Sequence, residues 1–356
     1  MKTTETIQHH SITGRTITGQ YHRVIYPFLA LLSLACLPAH FFSCSRIAAP
    51  VYERNLEERK GITEVRIRGD AANGKYRKKG YDVLVYNNDR FGRLDSYMHF
   101  DSTLDAISVS SGQGKKKIVV ICNAPDGFIK WENVLSLKQL SGLCCRLEDE
   151  SEDFPMMVGT GDTDAGESCE ITLRPLMAKV CLKELSCDFR GTAYAWEELS
   201  NIRVYLTNVN AECSITGDSD AGKRFINNGG REDGDIRRFR SPSIVCREIE
   251  NPVGADPESL DAELYCYPNR TVEESFGRPF TKIVIEGKIR GKTWFWPINI
   301  NTLKDNGICS DDCYILKVRL RRTGTEDPDM AIELENNEIA MEIEKWDEKE
   351  NYTVAF

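Results

Sequence analysis

The stretch FTKIVIEGKIRGKTWFWPINI, residues 280–300, decides the fold class of this chain. β-Branched and aromatic side chains alternate with other residues on both sides of the central segment GKIRGK, residues 287–292. Such side chains favour the pleated surface of a sheet, and a glycine-containing break between two alternating runs is typical of a hairpin. The stretch therefore predicts two antiparallel strands joined by a turn.

Alternation of the same kind recurs along most of the chain after residue 61. Further strands are predicted at residues 62–68, 81–86, 116–124, 201–209 and 313–320, and a closing hairpin at residues 331–335 and 339–343 around Asn336 and Asn337. Helical periodicity is confined to residues 131–140, WENVLSLKQL, which predict one short amphipathic helix. We therefore expect an all-β chain with two β-sandwich domains in tandem and one or two short helices.

A proline inside a strongly alternating run marks the expected boundary between the two domains. Pro175 lies in the run of residues 171–185, and proline cannot donate a hydrogen bond to a central ladder, so an edge strand, a bulge or a crossing between sheets is expected there. We place the junction just after this run, near Phe189. The expected domains are residues 62–189 and 190–356.

The segment VIYPFLALLSLACLPAHFFSC, residues 24–44, is apolar, lacks charged side chains and follows a basic leader. This order is typical of a bacterial secretory signal, and a small residue before a cysteine is the pattern of a lipoprotein signal. We expect residues 1–43 to be the signal peptide, Cys44 to be acylated and residues 44–61 to be a tether, with Cys36 as the second candidate for acylation. A cleaved signal without a lipid and an uncleaved spanning helix are the alternatives, although Pro27, Pro38 and His40 interrupt such a helix.

The composition limits the classes of function. The chain has 46 basic and 55 acidic side chains and a formal net charge of −9, which argues against nucleic acid as a partner. His99 is the only histidine after residue 43, and we interpret it as structural. A Ser-His-Asp or Cys-His site would have to use that residue, so no catalytic residue and no cofactor are expected. A pair of carboxylates acting on a glycoside stays open.

The cysteines do not have the spacing of a metal site. Of 13 cysteines, two lie in the leader, and several others lie inside apolar runs, where a thiol is a small buried hydrophobic group. We expect mostly reduced cysteines in the core, with Cys309 and Cys313 as the local disulfide.

Several stretches, in this order, resemble the fimbrillin family of pilus subunits and pilus anchors of Bacteroidota. In the first half these are DVLVYNNDRFG (82–92), KIVVICNA (117–124), FPMMVG (154–159), residues 171–185 and VYLTN (204–208). In the second half they are YPN (267–269), residues 281–287, WFWP (294–297) and residues 322–346. The resemblance covers the chain from about residue 60 to its end.

This resemblance implies a structural role at the cell surface. It implies two transthyretin-like sandwiches in an outer-membrane lipoprotein of a fimbrium, supporting adhesion and polymerising with other fimbrial subunits, identical or different, by strand exchange. It also implies that an arginine-specific protease removes an N-terminal strand, here residues 62–68, by cutting after Arg77. The strand that is donated to a neighbour would come from residues 339–356. The residues expected to insert are Ile339, Met341, Ile343, Tyr352, Val354 and Phe356.

Two alternatives stay open from the sequence. Without cleavage at Arg77 the lipid would remain attached, and the protein would be an anchor or a terminating subunit. A surface lipoprotein that binds glycans through exposed aromatic side chains, such as Trp294 and Trp296, is the second alternative, and it requires that both rings face solvent.

Overall fold

A computed structural model describes residues 61–68, 78–101, 104–125, 127–217, 224–226, 239–275, 277–303, 306–330, 332 and 339–345. These residues form mostly strands, and the predicted all-β sandwich class is confirmed. The strands are β1 (Gly61–Arg68), β2 (Tyr81–Asn87), β3 (Leu94–Phe100), β4 (Ala106–Ser111), β5 (Lys115–Cys122), β6 (Cys144–Arg146), β7 (Met157–Asp164), β8 (Cys169–Thr172), β9 (Arg174–Pro175), β10 (Ala178–Cys187), β11 (Ser200–Thr207), β12 (Val209–Asn210), β13 (Glu212–Ser214), β14 (Phe225–Ile226), β15 (Cys246–Ile249), β16 (Glu258–Cys266), β17 (Lys282–Ile289), β18 (Lys292–Asn299), β19 (Asp312–Leu320) and β20 (Ile339–Lys345). One α-helix, α1 (Leu137–Ser141), and 3₁₀ turns at Trp131–Asn133, Leu147–Asp149, Pro242–Ile244 and Asn301–Leu303 complete the described elements.

The first half of the described chain folds into two facing sheets. One has three strands in the order β4-β1-β8, and the other has five in the order β3-β2-β5-β7-β9. Alternate side chains from the two sheets, among them Val65, Val83, Val120 and Ile171, form one buried cluster between them. Because the side chains of a strand alternate between faces, each of these strands contributes every second residue to that core.

The second half builds two four-stranded sheets. Their orders are β16-β10-β19-β20 and β15-β11-β17-β18. The predicted hairpin of residues 280–300 is confirmed as β17 paired with β18, in a register that puts Ile285 opposite Trp296. Both side chains belong to a larger buried cluster, which also includes Leu84 of β2 and Leu147. One continuous core therefore extends from the five-stranded sheet into the second half.

Strand β10 differs from the expected domain assignment. It precedes Phe189, yet it pairs with β16 antiparallel and with β19 in parallel, both from the second half. The change of sheet occurs between β9 and β10, so it lies upstream of the expected junction. Pro175 lies in β9, the edge strand of the five-stranded sheet, as expected for a residue without an amide hydrogen.

The expected helix of residues 131–140 is broken into two short pieces. Hydrogen bonds to neighbouring strands engage the intervening backbone: the Tyr86 hydroxyl donates to the Val134 carbonyl at 3.0 Å and the Leu94 amide to the Leu135 carbonyl at 2.9 Å. Helix α1 then begins after Ser136, whose hydroxyl accepts from the Gln139 amide. Tertiary contacts here override the helical periodicity of the sequence.

Only the second arm of the predicted closing hairpin lies within the described residues. Strand β20 pairs antiparallel with β19, with Ile339 opposite Val318 and Ile343 opposite Tyr314. Ile332 is not part of a strand, and residues 333–338 lie outside the described part of the chain. Among the described strands, the partner of β20 is therefore β19, which ends 19 residues earlier in the sequence, at Leu320. Apart from Ile332, the predicted partner segment, residues 331–335, lies outside the described residues.

Candidate strand-exchange groove

Strand β1 occupies the middle of its three-stranded sheet. It pairs antiparallel with β4, with Val65 opposite Ile107, and in parallel with β8, with Val65 opposite Cys169. Neighbouring strands lie about 4.8 Å apart, so β4 and β8 are separated by about 10 Å across β1. In the described structure these two strands share no ladder. Removing β1 would therefore leave an open groove between them.

The inward face of β1 fills the floor of this groove. Thr63, Val65 and Ile67 are buried, and the last two belong to the cluster between the sheets. Burial of one such aliphatic side chain is worth about 1.5–3 kcal/mol. Most of the interactions that stabilise β1 in the sheet therefore come from these inward side chains and from its two hydrogen-bonded ladders.

Glycines in β7 allow the opposite sheet to come close to β8. A Cβ added at Gly159 would lie 2.5 Å from the Thr172 carbonyl oxygen, and one at Gly161 would lie 2.5 Å from the Cys169 sulfur. Real Cβ atoms do not approach other atoms this closely. The two sheets therefore pack closely beside β8, one wall of the groove.

The outward face of β1 contributes little. Ile62, Glu64, Arg66 and Arg68 are exposed, and the Arg68 guanidinium pairs with the Glu170 carboxylate at 2.9 Å. Solvent-exposed ion pairs of this kind contribute at most about 1 kcal/mol. The buried face of β1 therefore contributes more than its exposed face to holding the strand between β4 and β8.

Strand β20 is held very differently. It lies at the edge of the sheet β16-β10-β19-β20 and pairs only with β19 among the described strands. Ile339 and Ile343 pack against the larger core, and Met341 lies opposite Leu316 in the ladder. The predicted exchange residues 339–343 thus complete their own sheet in this structure.

The remaining predicted site residues lie outside the described residues. These are Cys36 and Cys44, the predicted acylation candidates, Arg77, the predicted cleavage site, and Tyr352, Val354 and Phe356 near the end of the chain. Their predicted roles stay predictions. Among the described residues, no helix is both long enough and apolar enough to cross a membrane.

The aromatic pair considered for glycan binding does not form an exposed platform. Trp296 is fully buried, and its indole nitrogen donates to the Arg322 carbonyl at 3.1 Å. The Trp294 ring is half-buried beneath the Lys292 ammonium, which lies 4.1 Å from the ring centroid. The condition that the glycan-binding alternative requires, both rings facing solvent together, is therefore not met.

His99 lies on β3 and is held by two carboxylates. Its Nδ1 lies 2.8 Å from an Asp82 oxygen and its Nε2 lies 3.0 Å from an Asp101 oxygen. The hydrogen bond to Asp82 is the main cause that raises the pKa of the His99 imidazole. The cleft around it has a volume of about 380 Å³ and also includes Tyr97, which donates to Asp82. Across the described chain, no group of three or more His, Cys, Asp or Glu side chains is arranged so that it could hold a metal ion.

A buried carboxyl group that the sequence did not single out links the two halves. Glu150 is buried, and its oxygens accept from the Met156 amide at 3.0 Å and from the Tyr267 hydroxyl at 2.9 Å. Burial raises the pKa of Glu150 to about 7. The sequence places Glu150 in an acidic run, residues 148–153, where nothing distinguishes one buried carboxyl from its solvated neighbours.

The cysteines of the described chain are all thiols. Cys309 and Cys313 are not bonded to each other in this structure, and the predicted local disulfide stays a prediction. Most of the others are buried, as expected for small hydrophobic groups, and burial raises the pKa of the Cys122 and Cys266 thiols to about 12.

Comparisons with known proteins find similarity at the level of structure. No family model matches the sequence, and no curated protein matches it. The fold, however, is shared over most of the chain with several solved structures. The relationship is therefore one of backbone architecture, with little sequence identity.

Two of these structures are of proteins described by their names as adhesion proteins. The "putative cell adhesion protein" of Bacteroides eggerthii DSM 20697 superposes with a TM-score of 0.62 and 15% identity, covering 81% of this chain and 96% of that one. A protein of the same description from Parabacteroides distasonis ATCC 8503 gives a TM-score of 0.59 and 17% identity, covering 82% of this chain and 99% of that one.

A fimbrilin from Porphyromonas gingivalis W83 has the same fold. The TM-score is 0.55 and the identity 11%, over 80% of this chain and 97% of that one. The all-β architecture of the present chain is thus the one found in these Bacteroidota proteins, as the resemblance in sequence order implied. At such identities the likeness establishes the fold.

Proposed function

We propose that this protein is a structural subunit or anchor of cell-surface fimbriae, an outer-membrane lipoprotein that assembles by β-strand exchange and supports adhesion. The single observation that carries the proposal is the central position of β1 in the sheet β4-β1-β8. The fold shared with a fimbrilin and with proteins described as adhesion proteins supports the same role. The proposal assigns no catalytic residue and no cofactor.

Loss of β1 would create an acceptor for a strand from a neighbour. The edges of β4 and β8 would each present unpaired amide and carbonyl groups, and the positions of Val65 and Ile67 would become apolar sockets. Unpaired edges and exposed apolar surface are both costly in water. A donated strand with apolar side chains at every second residue would satisfy both.

Strand β20 has the properties of the donor. Ile339, Met341 and Ile343 follow the same two-residue spacing as Thr63, Val65 and Ile67. As an edge strand, β20 can leave its own sheet by giving up one ladder, whereas β1 must give up two. Residues 352–356, which alternate in the same way, would extend the inserted strand.

Processing upstream of β2 would decide whether the subunit accepts a strand. Cleavage after Arg77 would release the lipid on Cys44 together with β1, which precedes the cut in the sequence. A chain cut in this way would be a polymerising subunit. An uncut chain would keep both its lipid and β1 and would act as an anchor or terminator.

Determination of the N-terminus of the protein from isolated outer membranes and sheared fimbriae tests this function. An acylated Cys44 in the membrane fraction identifies an anchor, and a new N-terminus at Lys78 in the fimbrial fraction identifies a polymerising subunit. A chain that is found in the cytosol with its leader intact would contradict the proposal.

A further inference from the structure

Two cysteines from different halves of the chain lie directly opposite each other in a short ladder. Strands β6 and β13 pair antiparallel, with Cys145 opposite Cys213. The Leu147 amide donates to the Ala211 carbonyl at 2.9 Å and the Ile215 amide to the Leu143 carbonyl at 3.1 Å, two residues to either side of this pair. The alternation of an antiparallel ladder makes Cys145 and Cys213 a hydrogen-bonded pair, with Cα atoms about 5.5 Å apart.

Both side chains point into the same core. Cys145 is 1% exposed, Cys213 is 2% exposed, and both belong to the larger buried cluster. Residues directly opposite in an antiparallel pair project from the same face of the ladder. Cys144, by contrast, lies opposite Ser214 and lines a cleft on the other face together with Arg146. The adjacent cysteines of β6 are therefore distinguishable: the register brings only Cys145 to the cysteine of β13.

We propose that Cys145 and Cys213 form a disulfide that joins β6 to β13 when the chain folds outside the cytoplasm. This inference rests on the export that the proposed function requires, because disulfides persist in oxidising compartments. Disulfides bridge Cα atoms that lie 4.4–6.8 Å apart, most often about 5.5–6 Å, and the expected separation falls in that range. In the structure the two cysteines are not bonded to each other, and the Cys145 Sγ lies 3.1 Å from the Met156 Sδ.

The reaction is a thiol–disulfide exchange with a disulfide oxidant, for which oxidised glutathione serves as the reagent. One cysteine thiolate attacks the oxidant, displaces one glutathione thiolate and forms a mixed disulfide. The second cysteine thiolate then attacks that bond and displaces the other glutathione. Two protein thiols lose two protons and two electrons, and one oxidised glutathione becomes two reduced molecules.

The bond must form before the ladder is buried. Burial is the largest cause that raises the pKa of the Cys145 thiol, and exchange requires the thiolate. A folded, reduced chain would therefore oxidise slowly, while a chain oxidised during folding would keep a shielded disulfide. The link would fix residues 144–146 to residues 212–214, and so hold the two halves together while β1 is removed and β20 leaves its sheet.

Peptide mapping tests the disulfide directly. The protein is denatured and refolded with oxidised and reduced glutathione, alkylated with iodoacetamide under denaturing conditions without reductant, and digested with trypsin. We expect residues 139–146 to be linked to residues 204–223, the two tryptic peptides that contain these cysteines. Cys144→Ser should keep the linked pair, and Cys145→Ser should lose it. Alkylation of both Cys145 and Cys213 in the wild-type protein would overturn the proposal. A link between the two peptides that survives in Cys145→Ser would also overturn it.

The same map of the protein taken from cells separates this inference from the proposed function. Protein from the outer membrane or from fimbriae should contain the linked peptides. Fully alkylated Cys145 and Cys213 in that exported protein would refute the disulfide and leave the fimbrial role intact. A chain retained in the cytosol would refute the fimbrial role, whereas the refolding experiment would still decide whether this pair can be linked. The oxidised protein should also melt at a temperature on the order of 5–10 °C above that of the reduced protein, since the bond closes a long loop.

Discussion

The two terminal strands of the described chain, β1 and β20, have opposite positions in their sheets. β1 lies between β4 and β8 and contributes to two ladders, whereas β20 lies at an edge and contributes to one. β1 buries Val65 and Ile67, whereas Ile339 and Ile343 of β20 are half-buried against the larger core. The loss of β1 would separate its two neighbours, whereas β20 could leave without separating any other described strands. The proposed strand exchange depends on this difference.

The largest expected effect is a charge placed inside β1. Val65→Asp puts a carboxylate into the core between the two sheets, and we expect a loss of about 4 kcal/mol or more in the free energy of unfolding. Ile343→Asp, on the half-buried face of the edge strand, should cost clearly less. Urea unfolding followed by circular dichroism measures both, and Glu64→Gln on the exposed face of β1 is the control. Equal losses for Val65→Asp and Ile343→Asp would show that the central strand β1 contributes no more to stability than the edge strand β20.

The next effect concerns the buried hydrogen bond between Glu150 and Tyr267, which links the two halves of the chain. The pKa of Glu150 is about 7 in the folded protein, against 4.5 for an ordinary glutamate side chain. Because the folded-state pKa is raised, the stabilisation is complete below about pH 4.5 and is lost as the pH rises through about 7, by about 3 kcal/mol in total.

Urea midpoints at pH 5 and pH 8 measure this pH dependence. The wild-type protein should lose stability between these two values, and Glu150→Gln, which cannot ionise, should lose less. A wild-type protein with the same pH profile as Glu150→Gln would show that this carboxyl is not the titrating group.

Close packing beside the groove predicts a smaller effect. Gly159→Ala would force its Cβ against the Thr172 carbonyl, and overpacking of this kind costs about 1–3 kcal/mol. Gly142→Ala is the matched control, since Gly142 has a φ of −87° and the nearest atom to an added Cβ lies 3.5 Å away. Thermal unfolding should separate the two variants. Unchanged stability in Gly159→Ala would mean that the backbone of β8 near Thr172 can shift to accommodate the added Cβ.

The smallest expected effect is on the outward face of β1. Arg68→Ser removes the exposed ion pair with Glu170, and we expect less than about 0.5 kcal/mol in the free energy of unfolding. A loss above about 1 kcal/mol, measured in the same urea titration, would show that the strand is recognised by its charged face as well as by Val65 and Ile67.

The sequence predicted the elements better than their partners. The hairpin of residues 280–300 and the strand at residues 62–68 follow from local alternation, which is a property of contiguous residues. The partners of β10 and β20 could not be predicted in this way, because they are strands distant in sequence whose apolar faces are equally suitable as neighbours. Alternation fixes which side chains point inward and leaves open which strand lies beside them.

The site was predictable to a similar degree. Its residues in β1 and β20 were predicted from their alternation and from a family resemblance. The central position of β1, however, depends on pairing with β4 and β8, which are distant from it in sequence. The opposition of Cys145 and Cys213 and the burial of Glu150 against Tyr267 depend on contacts between distant segments as well. No spacing in the sequence carries that information.

The central claim is that removal of β1 creates an acceptor for a neighbour's strand. The most direct test places a unique protease site within residues 69–77, cuts the purified protein and follows its mass by size-exclusion chromatography with light scattering. The account predicts that the cut protein loses residues 61–68 and forms assemblies larger than a monomer, and that an excess of a synthetic peptide of residues 61–68 blocks them. A cut protein that has lost this strand and remains a folded monomer would contradict the account.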